Sequence, residues 1–283
     1  MTGALECKQM QWSSTFWHKT LRRPYQLYCQ TDSGSGQPVV LLHGIASSAD
    51  SWRYLIKDLE DRPCRVMAFD LLGFGQSPKP TFDWLHYTVN DHARAVITSL
   101  HKHSSGKPAI LVGHSMGCLI AIHIATLRPD LVKQLILYEP PFFTGAPGST
   151  VYKRERNFYA RTYRNLIKRP PLGLGSFRFL QKTIARLIGF ELTKDTWIPF
   201  ERSMKYTILE QNAVAELRGL VVPTDIIYGK YDGLVINDKK RFFFDVAAKN
   251  INASEIPELH MISRRSSEMM AERISQLLSD SRS

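Results

Sequence analysis

Cysteine is scarce in this chain and follows no ligand-type spacing. The 283 residues include four cysteines, and these lie far apart in the sequence: Cys7, Cys29, Cys64 and Cys118. No C-x-x-C pair is present, so there is no pattern typical of a zinc site or a redox motif. Scattered thiols of this kind are typical of free, buried cysteines in a reducing compartment. We therefore expect no disulfide framework and no metal site.

Long apolar runs are also missing. No stretch approaches the roughly 20 apolar residues that a membrane-spanning helix needs, and segment 1–14 has no apolar core of the kind found in signal peptides. The sequence therefore predicts a cytoplasmic protein. Hydrophobic residues still make up 43% of the chain, which is enough material for a large globular core.

Acidic residues are depleted in one segment. The net charge is +11, and segment 151–190 contains ten basic residues but only one acid, Glu155. The same segment has an apolar stripe at helical spacing, flanked by Arg178, Lys182 and Arg186 and formed by Phe177, Leu180, Ile184, Leu187 and Ile188. Most such stripes are packing faces of a helix with a solvated basic side. The functional alternatives are attraction of anionic substrates or of anionic lipid surfaces. No nucleic-acid-binding motif accompanies the charge, so we expect no nucleic-acid partner.

Short apolar runs alternate with helical patterns over most of the chain. We predict strands at 38–42, 65–69, 109–112, 131–137 and 224–228, with a last short strand ending near Ile256. This alternation is typical of a mainly parallel sheet that helices bury on both faces. It is interrupted after Glu139-Pro140-Pro141, where helical patterns and two Pro/Gly clusters occur without a convincing strand. The pattern predicts an α/β core formed by 1–140 and 220–283, with a helical cap at 141–219.

A G-x-S-x-G motif lies between a predicted strand and a predicted helix. Its residues are Gly113, His114, Ser115, Met116 and Gly117. A serine on such a turn is held in a strained backbone conformation with its hydroxyl exposed at the edge of the sheet, and the glycines leave room for the neighbouring strand and helix. The motif predicts that Ser115 is a nucleophile.

Two backbone N–H groups are candidates for an oxyanion hole. The helix that follows Ser115 directs the N–H of Met116 and the positive end of its dipole towards charge that develops at the serine. The second donor is expected from a loop after an earlier strand, and His43-Gly44-Ile45 follows the strand at 38–42. We predict Ile45 N–H as this donor, with His43 holding the loop.

A serine nucleophile needs a base, and in this arrangement the acid and then the histidine follow it in sequence. Only His123 and His260 come after Ser115, and His123 lies inside the helix that starts there, so His260 is the predicted base. Asp232 follows the strand at 224–228 and is the predicted acid. Glu139, at the end of the strand at 131–137, reaches the same edge of the sheet and remains the rival acid.

These motifs resemble the capped α/β-hydrolases, especially bacterial carboxylesterases and lactonases. The resemblance extends over five segments in the expected order: His43-Gly44, Phe69-Asp70 with Gly73 to Ser77, Gly113 to Gly117, Gly229 to Asp232, and Ile256 to His260. It implies an eight-stranded, mostly parallel sheet, no cofactor, and a triad of Ser115, Asp232 and His260. Two departures are Leu259, where a small residue often precedes the histidine, and the absence of a proline from the final helix.

The function expected from these residues is hydrolysis of carboxylic esters with a short or medium acyl chain. Abundant aromatic residues in the predicted cap favour an apolar small-molecule substrate, although they could equally form the cap's own core. A carbon–carbon bond hydrolase or lactonase acting on an anionic substrate is the first alternative. A small-molecule receptor that retains the hydrolase scaffold without catalysis is the second.

Overall fold

A twisted sheet of seven strands forms the centre of the computed structural model. The structure describes residues 15–21, 23–103, 106–143, 145, 148–167, 192–234 and 250–280. In chain order the strands are β1 (Cys29–Gly34), β2 (Gln37–Leu42), β3 (Cys64–Phe69), β4 (Ala109–His114), β5 (Val132–Tyr138), β6 (Thr224–Gly229) and β7 (Ile251–Ile256). Their order across the sheet is β1-β3-β2-β4-β5-β6-β7. All neighbours are parallel except β1, which pairs with β3 in the antiparallel direction.

Helices lie on both faces of this sheet. Within the described residues they are α1 (Arg53–Leu59), α2 (Val89–His103), α3 (Met116–Leu127), α4 (Thr150–Ile167), α5 (Lys194–Ser203), α6 (Ala213–Gly219) and α7 (Arg264–Asp280). Short 3₁₀ segments are Ala49–Trp52 and Pro129–Leu131, and short π-helical segments are Thr15–Thr20 and Met204–Ile208. None of the helices in these ranges is long and apolar enough to cross a membrane.

Two apolar clusters, one on each face of the sheet, form the core. Alternate residues of β2 point to opposite faces, so Val40 and Leu42 join one cluster while Val39 and Leu41 join the other. The first cluster includes apolar residues of α2 and α3, and the second includes those of α1 and α7. Helix α3 is apolar on almost every side because it is buried against the sheet and neighbouring helices.

The six predicted strands are all present, with ends within one or two residues where a range was predicted. The seventh, β1, was not predicted, because its sequence CQTDSG is polar and largely exposed and has no apolar alternation. The resemblance implied eight strands, whereas the described residues form seven. The α/β class and the mainly parallel sheet are confirmed.

Within the described residues, the regular elements of the predicted cap segment are all helical. Helix α5 begins with a capping box between Thr193 and Thr196. At its other end, Arg202 donates from Nη1 to the carbonyl oxygens of Phe82 and Leu85, both at 2.6 Å, which ties this segment to the loop after β3. The division into core and cap stays a prediction, and the predicted stripe from Phe177 to Ile188 lies outside the described residues.

Candidate active site

Ser115 occupies a sharp turn between β4 and α3. Its backbone has φ +52° and ψ −118°, a conformation that residues with a side chain rarely adopt. The Ser115 N–H donates to the carbonyl of Tyr138 at 3.0 Å, which fixes the turn against β5. A side chain at Gly113 would lie 2.7 Å from the N of Cys118, and one at Gly117 would collide with the carbonyl of Leu42. The two motif glycines are therefore required by close backbone packing around the serine.

His260 and Asp232 continue from Ser115 as a hydrogen-bonded series. Nε2 of His260 lies 3.2 Å from Ser115 Oγ, and Nδ1 lies 2.7 Å from Asp232 Oδ2. All three residues are buried, with Ser115 and His260 retaining 7% and 8% of their exposed surface. This geometry allows the imidazole to accept the serine proton at one nitrogen while the carboxylate orients the other.

The Asp232 carboxylate is held in its ionised form. Burial by itself would raise its pKa, but hydrogen bonding and charge from His260, with a further side-chain hydrogen bond from Glu139, bring the pKa well below the ordinary value. Asp232 Oδ1 also accepts the N–H of Leu234 at 2.7 Å. The strong hydrogen bonds to the charged form therefore outweigh the desolvation.

Glu139, the rival acid, lies beside this series and is completely buried. Its Oε1 accepts the N–H of Gly229, while its own N–H donates to the carbonyl of Ile227 at 2.9 Å. One carboxylate oxygen of Glu139, one of Asp232 and a ring nitrogen of His260 all lie within 4.8 Å of one another. The structure thus brings both candidate acids to the site, and Asp232 Oδ2 makes the 2.7 Å contact with the imidazole.

The two predicted oxyanion donors flank the nucleophile. Met116 is the first residue of α3, so its N–H has no acceptor within the helix. Ile45 is buried in the loop after β2, and an added Cβ at Gly44 would lie only 3.3 Å from the Cβ of Ser115. This loop therefore lies directly against the serine, where a small residue is needed.

His43 orients the same loop. Its Nε2 accepts the N–H of Leu71 at 2.8 Å, so Nδ1 bears the ring proton and donates to the Gly44 carbonyl at 2.7 Å. Burial lowers the pKa of His43 to about 4, which keeps the ring neutral. Carbonyl and N–H groups of a trans peptide point in opposite directions, so Ile45 N–H is directed away from the His43 ring.

Two side chains that sequence reasoning missed hold the loop of His260. His114 Nε2 lies 2.8 Å from the His260 carbonyl, and the Tyr138 hydroxyl donates to the Leu259 carbonyl at 3.0 Å. Burial lowers the pKa of His114 to about 3, so the ring is neutral and donates from Nε2. The sequence offered one indication of this role, namely that His114 and Tyr138 are the last residues of β4 and β5.

Two other ionisable side chains that follow the G-x-S-x-G motif in the sequence, His123 and Asp225, lie away from Ser115. His123 contacts Glu216 at 3.0 Å, and Asp225 pairs with Arg273 near the opposite ends of the strands. In the described part of the chain, potential metal-ligand atoms converge in two places: the group of Glu139, Asp232 and His260, and that of Cys29, Asp32 and His103. In the second group, Arg65 already binds both carboxylate oxygens of Asp32, at 2.7 and 2.8 Å.

Comparison with known proteins identifies the family to which this chain belongs. Residues 37–243 match the family model described as the alpha/beta hydrolase fold. The chain is 37% identical over 229 residues to the 2-hydroxy-6-oxo-6-(2'-aminophenyl)hexa-2,4-dienoic acid hydrolase of Metapseudomonas resinovorans, covering 76% of this chain and 74% of that protein. The chain therefore belongs to the α/β-hydrolase family.

Other similarities are more partial or more distant. A protein of Arabidopsis thaliana named "Probable lysophospholipase BODYGUARD 3" is 31% identical over 187 residues, which is 62% of this chain. The match spans only 36% of that protein's length. The enol-lactonase of Burkholderia xenovorans LB400 superposes with a TM-score of 0.61 at 17% identity, over 90% of this chain and 95% of that one, and shares the fold.

Proposed function

We propose that this protein is a serine hydrolase that cleaves carboxylic esters through an acyl-enzyme intermediate. The observation that supports this most strongly is the buried series in which Ser115 Oγ lies 3.2 Å from His260 Nε2 and His260 Nδ1 lies 2.7 Å from Asp232. A neutral serine hydroxyl is a weak nucleophile, and an adjacent oriented base is what activates it.

The reaction proceeds in two balanced halves. His260 Nε2 takes the Ser115 proton as Oγ attacks the ester carbonyl, and the same proton then passes to the leaving alkoxide, which departs as the alcohol. Water, deprotonated by His260, attacks the acyl-enzyme, and Ser115 regains its proton as the acid is released. The N–H groups of Met116 and Ile45 donate to the oxyanion formed in each half.

The substrate we propose is a small, largely apolar ester of short to medium acyl length. Four aromatic residues from the predicted cap segment are buried in the same apolar cluster as Ile45 and Met116, and they are Phe142, Phe143, Tyr159 and Phe200. We propose that these aromatic side chains form part of the apolar environment that receives the acyl chain. The relative named as a lysophospholipase is, by that name, also an ester hydrolase.

Exposed basic side chains of α4 would favour the approach of anionic molecules to the protein. In α4 the side chains of Lys153, Arg154, Arg156 and Arg161 are exposed. Such a surface attracts anionic substrates or anionic lipid surfaces in a salt-dependent manner. This property also favours a second candidate function, hydrolysis of a carbon–carbon bond in an anionic diketone, because the relative from Metapseudomonas resinovorans is named for an acid of that type.

A series of p-nitrophenyl esters, from acetate to decanoate, tests the proposal. Wild type is expected to hydrolyse the short and medium members, and Ser115→Ala is expected to lose about 10³-fold or more in kcat. Ser275→Ala, on the outer helix α7, is the matched control and retains wild-type rates. Equal ester hydrolysis by wild type and Ser115→Ala would contradict the proposal, and faster cleavage of a 2-hydroxy-6-oxo-hexa-2,4-dienoate would favour the second candidate.

A further inference from the structure

The carboxyl group of Glu139 is unusual in being completely buried next to a second buried acid. Glu139 follows β5 and has φ +53°, in the left-handed region that favours glycine. Its side chain fills space that Gly229 leaves open, because a Cβ at Gly229 would collide with Glu139 Oε1. The local backbone of two strand ends is thus built around this carboxyl group.

Two carboxyl groups can share a hydrogen bond only if one of them bears a proton. Asp232 already accepts from His260 Nδ1 and from Leu234 N–H, which favours its ionised form. A carboxylate oxygen of Glu139 lies within 4.8 Å of one of Asp232, and a side-chain hydrogen bond from Glu139 adds to the hydrogen bond and charge of His260, which together lower the pKa of Asp232 against the opposing effect of burial. The proton between the two carboxyl groups therefore belongs to Glu139.

The titratable groups around Glu139 favour a neutral carboxyl as well. They include Cys118 on α3, Tyr138 on β5, Tyr228 on β6, and Asp232 and His260 in the two loops beyond. Burial is the largest cause that raises the pKa of Cys118, Tyr138 and Tyr228, so these groups are uncharged at neutral pH and do not stabilise an ionised Glu139. A second buried negative charge beside Asp232 would be strongly unfavourable.

We infer that Glu139 is a positioning residue that acts as a neutral acid: it donates a hydrogen bond to Asp232 and so fixes the carboxylate that orients His260. Gly229 N–H in turn holds Glu139 through Oε1. Glu139 would act through Asp232 and touch no substrate. This role rests on the proposed function of Ser115, Asp232 and His260. It assigns a different role to each acid: Asp232 orients His260, and Glu139 holds Asp232.

Glu139→Gln is the central variant, because a glutamine amide can donate to Asp232 and accept from Gly229 as a protonated glutamate does. We expect its kcat to stay within about threefold of wild type, and the midpoint of the acid limb of kcat/KM to be unchanged. Glu139→Leu removes the donor and is expected to lower kcat about tenfold or more with KM nearly constant.

The protonation state has a readout that is independent of activity. Infrared difference spectra of wild type minus Glu139→Gln at pH 7 should contain the carbonyl band of a protonated carboxylic acid. This measurement applies even if wild type hydrolyses no ester, so failure of the proposed function is distinguishable from failure of this inference. It also decides the matter if Glu139→Leu does not fold.

Four results would overturn the inference. Absence of the protonated-acid band, or an acid limb that moves to lower pH in Glu139→Gln, would mean that Glu139 is ionised in the wild type, because loss of a negative charge disfavours the protonated imidazole. Folded Glu139→Leu with wild-type kcat would remove the positioning role. Active Asp232→Asn together with inactive Glu139→Gln would make Glu139 the working acid.

Discussion

At the scale of single residues, hydrogen bonding decides whether a buried titratable side chain is neutral or charged. His43 and His114 are buried without a carboxylate partner for their rings, and burial lowers their pKa values to about 4 and about 3. Asp232 is also buried, and burial alone would raise the pKa of a carboxyl group. Its pKa is lowered instead, because His260 and Glu139 hydrogen-bond to the charged form. Neutral histidines therefore hold the backbone, while one ionised acid orients the imidazole.

Replacing Asp232 by Asn tests this electrostatic role. Asparagine retains the size of the side chain but removes the charge that stabilises the imidazolium, so we expect kcat to fall by about 10³ to 10⁴ with little change in KM. Steady-state kinetics on a p-nitrophenyl ester measure the effect, with the exposed Asp50→Asn as control. A kcat within tenfold of wild type would contradict it.

The lowered pKa of Asp232 also predicts how the stability of the folded protein changes with pH. Its pKa is lower in the folded chain than in the unfolded chain, so its contribution is present above the unfolded value of about 4 and is lost as pH falls through the acid range. Urea unfolding of wild type and Asp232→Asn should therefore converge as the pH falls below about 4. A stability difference that grows as the pH falls would have the wrong sign.

At the scale of structural elements, three loops at the carboxyl ends of parallel strands meet at Ser115. The loop after β2 supplies Ile45, the turn after β4 supplies Ser115 and Met116, and the loop after β6 supplies Asp232. Their contact follows from the sheet order, which places β2 beside β4 and β5 beside β6. This common edge is where open α/β sheets bind ligands.

Gly44→Ala tests how tightly the oxyanion loop packs on the nucleophile. The added methyl would lie 3.3 Å from Ser115 Cβ and 3.1 Å from His114 Nδ1, so the loop must shift by a few tenths of an ångström. We expect kcat to fall about 10- to 100-fold through a misplaced Ile45 N–H. Gly219→Ala, where a Cβ meets nothing within 4 Å, is the matched control and should behave as wild type.

The elements differ in how far the sequence predicts them. Buried strands such as β2 and β4 are apolar on both faces and were found within two residues, as was the position of Ser115 between strand and helix. The polar edge strand β1 has no such signal, since hydrogen bonds to β3 define it and its side chains are largely solvated. His114 and Tyr138 were missed for a related reason, because contacts with a loop more than 100 residues away are not local in sequence.

At the scale of the whole molecule, the proposed catalytic site and a buried hydrogen-bonding network lie at opposite ends of the parallel strands. Asp225, the second residue of β6, accepts from Arg273 Nε at 2.8 Å and from Gln134 Nε2 at 2.9 Å. This network joins β5, β6 and α7 near the amino ends of the strands. The Ser115 site lies at the other end of the same strands.

This separation predicts a variant that loses stability without losing activity. Asp225→Ala leaves the Arg273 and Gln134 donors without their acceptor, and we expect the free energy of unfolding to fall by about 2–3 kcal/mol. The kcat measured well below the unfolding transition should stay within about twofold of wild type. A drop in kcat as large as that of Asp232→Asn would show that the two edges are coupled.

The most direct test of the central claim is covalent labelling of Ser115 by a fluorophosphonate probe, which reacts with activated serines, followed by peptide mapping. We predict one adduct per chain, located on Ser115, in native wild type, and none in Ser115→Ala or in wild type unfolded before labelling. Native wild type that stays unlabelled, or an adduct on another residue that persists in Ser115→Ala, would contradict the assignment of Ser115 as the nucleophile.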